Sequence, residues 1–142
     1  MKVGKNKGEG LKVIGESAME KTKNRFKNLV AYQESRKLVK EVYALICNFP
    51  PNENFALSDQ LRRAAVSVPS NIAEGMGRYS AKEQTHFLEI AFGSLLEISA
   101  QLDIACDLGY ISIKEKENVD KQIDVVASLI SGLRSKRITI SH

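Results

Sequence analysis

The sequence predicts an all-α protein: an antiparallel up-down-up-down four-helix bundle with a proline bend in its second helix. Three observations carry this. Four stretches repeat apolar residues in alternating steps of three and four, the spacing of one helical face. No stretch alternates apolar and polar residues as a half-buried strand does. The connections between the four stretches are short, which makes consecutive helices antiparallel neighbours.

The 142 residues fit one domain of the common ~100–150-residue size. Residues 1–25 are rich in Lys, Gly, Glu and Ser and show no period, so they read as a flexible basic N-terminal arm. The bundle is expected over residues 26–137, and a short C-terminal tail over 138–142.

The first helix is expected from about Leu29 to Cys47, with the seam Tyr32, Ser35, Val39, Val42, Ile46 and Phe49. Pro50 and Pro51 stop it, since a helix usually ends at or before the residue preceding a proline. The second helix starts near Leu57 or Ser58 and runs to about Tyr79, with Leu57, Leu61, Ala64, Val68 and Ile72 facing inward. It holds Pro69 where a helix interior should be, which removes a backbone hydrogen bond and costs roughly 3 kcal/mol. Small residues surround that proline (Ala64, Ala65, Ser67, Ser70, Ala73, Gly75, Gly77), marking a place of close packing. Pro69, Asn71, Glu74, Gly75 and Glu97 form the expected structural centre. The Asn71 amide is expected to satisfy the carbonyl of residue 65, 66 or 67, or to reach across to Glu89.

The third helix opens on a capping box, Ser80 with Glu83, and runs to Leu108, with Gly109 as its stop. Its seam is Leu88, Ala91, Leu95, Ile98, Leu102 and Ala105. Phe87, Phe92 and Leu96 widen the apolar arc beyond what one neighbour needs. Phe92 and Leu96, or the outer positions Leu38 and Leu45 of the first helix, are therefore expected in a subunit contact. A second capping box, Ser112 with Glu115, opens the fourth helix. Its seam is Val119, Ile123, Val126, Ile130 and Leu133, and it is expected to end near Lys136.

Charge is uneven. Residues 1–27 hold eight Lys/Arg against three Glu, and Arg134, Lys136 and Arg137 close the last helix, so the formal net charge of +4 leaves residues 28–133 net acidic. Basic ends can grip phosphates by counterion release. Arg62 and Arg63 lie level with Glu97 if the second and third helices form a hairpin at Ser80. One of them is expected to pair with Glu97 or with Asp59. The other, with Arg78 and Lys82, is available to phosphate. Glu74 to Arg78 is itself a favourable i,i+4 pair.

Catalytic chemistry finds little support. A di-iron bundle needs Glu-x-x-His on two helices, and only Glu83-Gln-Thr-His86 occurs; the other histidine is His142. No metal site and no cofactor are expected. No serine or cysteine is placed beside His86, and there is no glycine-rich phosphate loop after a strand. Cys47 and Cys106 sit in apolar helical patterns and read as core filler. No apolar run approaches the ~20 residues of a membrane span, and no secretory signal follows the N-terminal lysines. A non-enzymatic cytoplasmic protein is the expectation.

Two segments carry a resemblance: QLRRAAVSVPSNIAEGMGR (Gln60–Arg78) and FLEIAFGSLLEISAQLDIACDLGYIS (Phe87–Ser112). With the opening helix from Phe26, the chain resembles, over about residues 26–135, the bacterial four-helix-bundle proteins encoded within intervening sequences of 23S ribosomal RNA genes. The resemblance implies a homopentamer. A related protein, the accessory variability determinant of diversity-generating retroelements, forms a basic pentameric barrel that binds nucleic acid and a reverse transcriptase. By that analogy this chain is expected to be an RNA- or DNA-binding accessory protein, with a reverse transcriptase as a further partner. Arg62, Arg63, Arg78, Lys82, Arg134, Lys136 and Arg137 are the candidate phosphate contacts. The acidic body departs from the basic barrel, so those residues must cluster to supply a positive field. The alternative is a structural or protein-docking module.

Overall fold

The structure is a computed structural model and describes residues 15–140. It is all-helical: α1 (Ala18–Lys27), α2 (Val30–Ile46), α3 (Leu57–Met76), α4 (Ala81–Asp107) and α5 (Ile113–Ile140), with a 3-10 turn at Pro51–Glu53 between α2 and α3. No strand occurs among the described residues. The four long helices close a ring, α2 against α3 and α5, and α4 against α3 and α5, with α1 laid across α2 and α3. The α3–α4 interface is the most extensive. Its contacts run in opposite directions along the two helices: Gly75 faces Gln84 and Phe87, Ser67 meets Ser94, and Gln60 meets Gln101.

Three helix ends show the chemistry that made them. Ser80 Oγ accepts from the Glu83 amide, although the return bond, donated by the Ser80 amide to the Glu83 carboxylate, is not formed. Both halves of the capping box form at Ser112 and Glu115. At the end of α4, Gly109 takes a φ of +78°, which glycine tolerates without a Cβ penalty. The amides of Gly109 and Tyr110 then donate to the carbonyls of Cys106 and Ala105, closing a Schellman motif. Glu53 fastens the opposite side of the same end. One of its carboxylate oxygens accepts from Tyr110 Oη at 2.8 Å, the other from the Leu57 amide.

The core takes one stripe from each long helix, including Leu38 and Val42, Leu61 and Ile72, Leu88 and Ile98, and Val126 and Ile130. Three readings change. Residues 18–25 of the expected arm form most of α1, capped by a reciprocal Ser17–Glu20 box; residues 1–14 lie outside the described residues. The last helix continues through residues 138–140 of the expected tail, and residues 141–142 lie outside the described residues. Leu38 and Leu45 are not available to a second subunit, because both are buried within the protomer, Leu38 at 0% exposure. α2 serves two neighbours, so its buried face turns to Ala31, Ser35, Leu38, Val42 and Leu45, while Tyr32 and Val39 move to its margin.

α3 runs unbroken through Pro69, which is buried in its interior. The Asn71 amide donates to the Ser67 carbonyl at 2.8 Å and to Ser67 Oγ at 2.9 Å. Of the alternatives open in the sequence, the local one on residue 67 is realised.

Candidate nucleic-acid interface

The candidate basic residues fall into two groups at opposite ends of the bundle. Arg62 and Arg63 lie near the start of α3. Arg63 Nε meets Asp59 Oδ2 at 3.0 Å, one of the two expected pairings, and Arg62 Nη1 reaches the Asn54 carbonyl at 3.5 Å. Arg78 lies about 22 Å further along, at ~1.5 Å rise per residue. It meets Glu74 Oε2 at 2.6 Å and covers the Phe87 ring, its Cζ 4.6 Å from the centroid. Lys82 is exposed in the first turn of α4.

The chain folds Arg134 and Lys136 to the Arg78 end. Gln122 on α5 donates to the Glu34 carbonyl and carboxylate on α2, and Lys136 and Leu133 border the same hollow as Leu29 and Val30. α1 adds Arg25, whose Nη2 donates to the Met76 carbonyl at 3.3 Å and so covers the C-terminal end of α3. One end of the bundle thus gathers Arg25, Lys27, Arg78, Lys82, Arg134 and Lys136. The Arg137 side chain lies outside the described residues.

A third basic region was not anticipated from the sequence. A groove of about 580 Å³ runs between α1, α2 and α3. Arg36, Lys37 and Lys40 line it from α2, together with Tyr32 and Gln33, while α3 supplies Val66, Pro69, Ser70 and Ala73. Phe26 of α1 closes one end, its ring edge-on to Tyr32 at 5.0 Å, and Arg36 Cζ lies 5.7 Å from the Tyr32 centroid. Lys37 is drawn to Glu34 at 2.9 Å. The signal was present as a basic i,i+4 pair, Arg36 and Lys40, but such a pair on a helix surface reads as a solvated face. It becomes a wall only because α1 folds back beside it.

The remaining polar candidates stay apart. Glu97 is exposed and borders a smaller groove with Gln60, Arg63, Ser67, Ser94 and Gln101. His86 is exposed and packs edge-on against its neighbour Phe87 at 5.5 Å. Among the described residues no group of three or more His, Cys, Asp or Glu is placed to hold a metal ion. No helix among them is long and apolar enough to cross a membrane. Cys106 is half-buried, whereas Cys47 is exposed rather than core filler, its Sγ directed to the Tyr43 carbonyl.

These features define a small helical-bundle protein with basic side chains at both ends and along one groove. The chain belongs to the 23S rRNA-intervening sequence protein family, whose profile matches residues 27–132. In fold it is similar to a protein of unknown function from the S23 ribosomal protein family of Bacteroides thetaiotaomicron, with a TM-score of 0.68 at 20% identity, covering 74% of this chain and 98% of that one. No curated protein matches the chain.

Proposed function

We propose that this chain is a non-catalytic, oligomeric accessory protein of the bacterial cytoplasm that binds RNA through phosphate contacts at its basic end. The observation that carries this reading is the placement of Arg78 and Lys82 at the same end of the bundle as Arg134, Lys136 and Arg25, although Arg78 is also paired with Glu74. In this reading the protomer is an up-down-up-down antiparallel bundle bent at Pro69. Five copies form a ring, which turns weak individual contacts into avidity. An apolar ridge on α4 supports self-association: Phe92, Leu96, Ala100, Ile104 and Leu108 recur every fourth residue, and the last four are exposed.

Phosphate binding weakens steeply with salt. A mobility-shift titration with structured RNA is expected to show affinity falling about tenfold or more between 50 and 200 mM salt, the behaviour of a handful of contacts. No shift at 50 mM salt with protein at tens of micromolar ends the RNA reading. A rival reading, a module that docks only protein, draws on the exposed Phe55, Tyr79 and Ile113, which lie off the α4 ridge. It is favoured if RNA binding is absent while the assembly persists.

A further inference from the structure

We infer that the groove between α1, α2 and α3 seats an unpaired nucleotide of a single-stranded RNA segment, with the base against Phe26 and Tyr32 and the flanking phosphates on Arg36 and Lys40. The inference rests on the RNA-binding reading and assigns it a second site, which adjoins the basic end at Phe26.

Three properties of the groove argue for this occupant. Its charge is of one sign: Arg36, Lys37 and Lys40 line it, and no Asp or Glu does. Glu34 and Glu41, the acids of the same helix, are not part of the lining, and Glu34 is held by Gln122 and Lys37. Its floor is apolar and aromatic, which suits the face of an unstacked base; base–aromatic stacking is a sequence-tolerant source of affinity in single-strand binding. A volume of about 580 Å³ lies within the ~300–1,000 Å³ typical of small-molecule sites, room for a nucleotide.

Duplex RNA fits less well. Its bases are stacked away inside an A-form helix whose major groove side chains cannot read, leaving the rings nothing to meet. An acidic peptide matches the cations but makes no use of paired rings. The placement of α1 gives the groove its aromatic end. Phe26 directly follows Arg25, which is anchored on the Met76 carbonyl, so the ring is held where an incoming base would lie against it.

The test uses the full chain and fluorescence anisotropy with an unstructured 12-nucleotide RNA and a 12-base-pair RNA duplex. Arg36 and Lys40 are exposed, so the Arg36→Gln/Lys40→Gln double variant preserves the core. Two lost single-strand phosphate contacts, at ~0.7 each, are expected to reduce the slope of log K against log salt by about 1.4. Affinity for the 12-mer falls several-fold and duplex binding is unchanged. Ultraviolet crosslinking is expected to mark the peptide holding Phe26 or Tyr32. If wild type binds RNA but the variant keeps its slope, or crosslinks avoid that peptide, the groove inference fails while RNA binding stands. If wild type binds neither RNA, both fail together. Displacement of the 12-mer by oligoglutamate as readily as by unlabelled RNA also overturns the nucleotide assignment.

Discussion

Ser94 Oγ donates to Ser67 Oγ across 2.8 Å, half-way along the α3–α4 seam. Ser67 Oγ also accepts from Asn71 Nδ2, so one hydroxyl ties the turn after Pro69 to the neighbouring helix. Small side chains on both partners bring the helices close enough for serines to meet, and Ser94 is buried there.

Removing one partner strands the other. Ser67→Ala leaves the Ser94 hydroxyl buried without its acceptor, at an expected cost of about 1–2 kcal/mol. Ser94→Ala leaves Ser67 with Asn71 and costs less. The double variant is expected to cost less than the sum of the two, because both polar groups are then gone. Urea denaturation of the four proteins measures this; strict additivity would show that the hydroxyl pair contributes no coupling.

Gly75 marks a close approach on the same seam. A Cβ there meets Phe87 Cβ at 3.2 Å and the Gln84 carbonyl oxygen at 3.4 Å, so α4 itself must move to admit it. Helix propensity favours alanine over glycine by about 1 kcal/mol, while overpacking costs about 1–3 kcal/mol. Gly75→Ala is therefore expected to destabilise by about 1 kcal/mol. Gly132 in α5 has nothing within 4 Å of its added Cβ, so Gly132→Ala is expected to stabilise by up to about 1 kcal/mol. Melting temperatures that move in the same direction for both variants would contradict this account of the seam.

Acid and alkali should loosen different helix pairs. The Gln122 hydrogen bond, then Lys37, holds the Glu34 carboxylate below its ordinary value of 4.5. A carboxylate depressed in the folded state stabilises above that value, and the contribution is lost as pH falls through the folded pKa. Lys116 is shifted the other way, upward from 10.5, by hydrogen bonds to Asp120 and then to Asp103 across the α4–α5 interface. Its contribution is complete below pH 10.5 and lost as pH rises through the folded pKa. Glu41, raised chiefly by burial and then by Glu34, opposes Glu34 on the acid side. Thermal melts from pH 3 to about 11.5 are expected to show a flatter acid limb for Glu34→Gln and a flatter alkaline limb for Lys116→Gln. Unchanged limbs would mean that these contacts do not persist in solution.

The long helices were legible because each buries a stripe, and a stripe leaves a 3–4 period in the sequence. α1 buries no residue fully, so it left no period; only Ser17 and Glu20 announced it, a capping box without an apolar run behind it. Leu38 and Leu45 were misplaced for a related reason. Periodicity gives the width of an apolar arc but not where its centre lies when a helix faces two partners, and α2 turned by about one residue relative to the reading. Basic residues carry no burial signal at all. Arg78 and Lys136 share an end only through the course of the chain, and the Arg36–Lys40 wall exists only because Phe26 returns beside it.

The α4 ridge offers the cleanest test of assembly. Phe92 is packed partly against the core, so a charge there risks the fold as well as any contact between copies. Leu96 is 62% exposed and Ile104 48% exposed, so their substitution leaves the core intact. Both side chains leave apolar surface in water, and such surface gains roughly 25 cal/mol per Å² when another surface covers it. An aspartate at either position brings a charge that an apolar interface cannot hydrate. Leu96→Asp/Ile104→Asp is expected to elute near the protomer mass of 15.8 kDa by light scattering, with wild-type helical circular dichroism. A variant that keeps the wild-type assembly mass would move the subunit contact off α4. In that event the exposed Val30 and Val125, which border a shallow hollow between α2 and α5, are the next surface to charge.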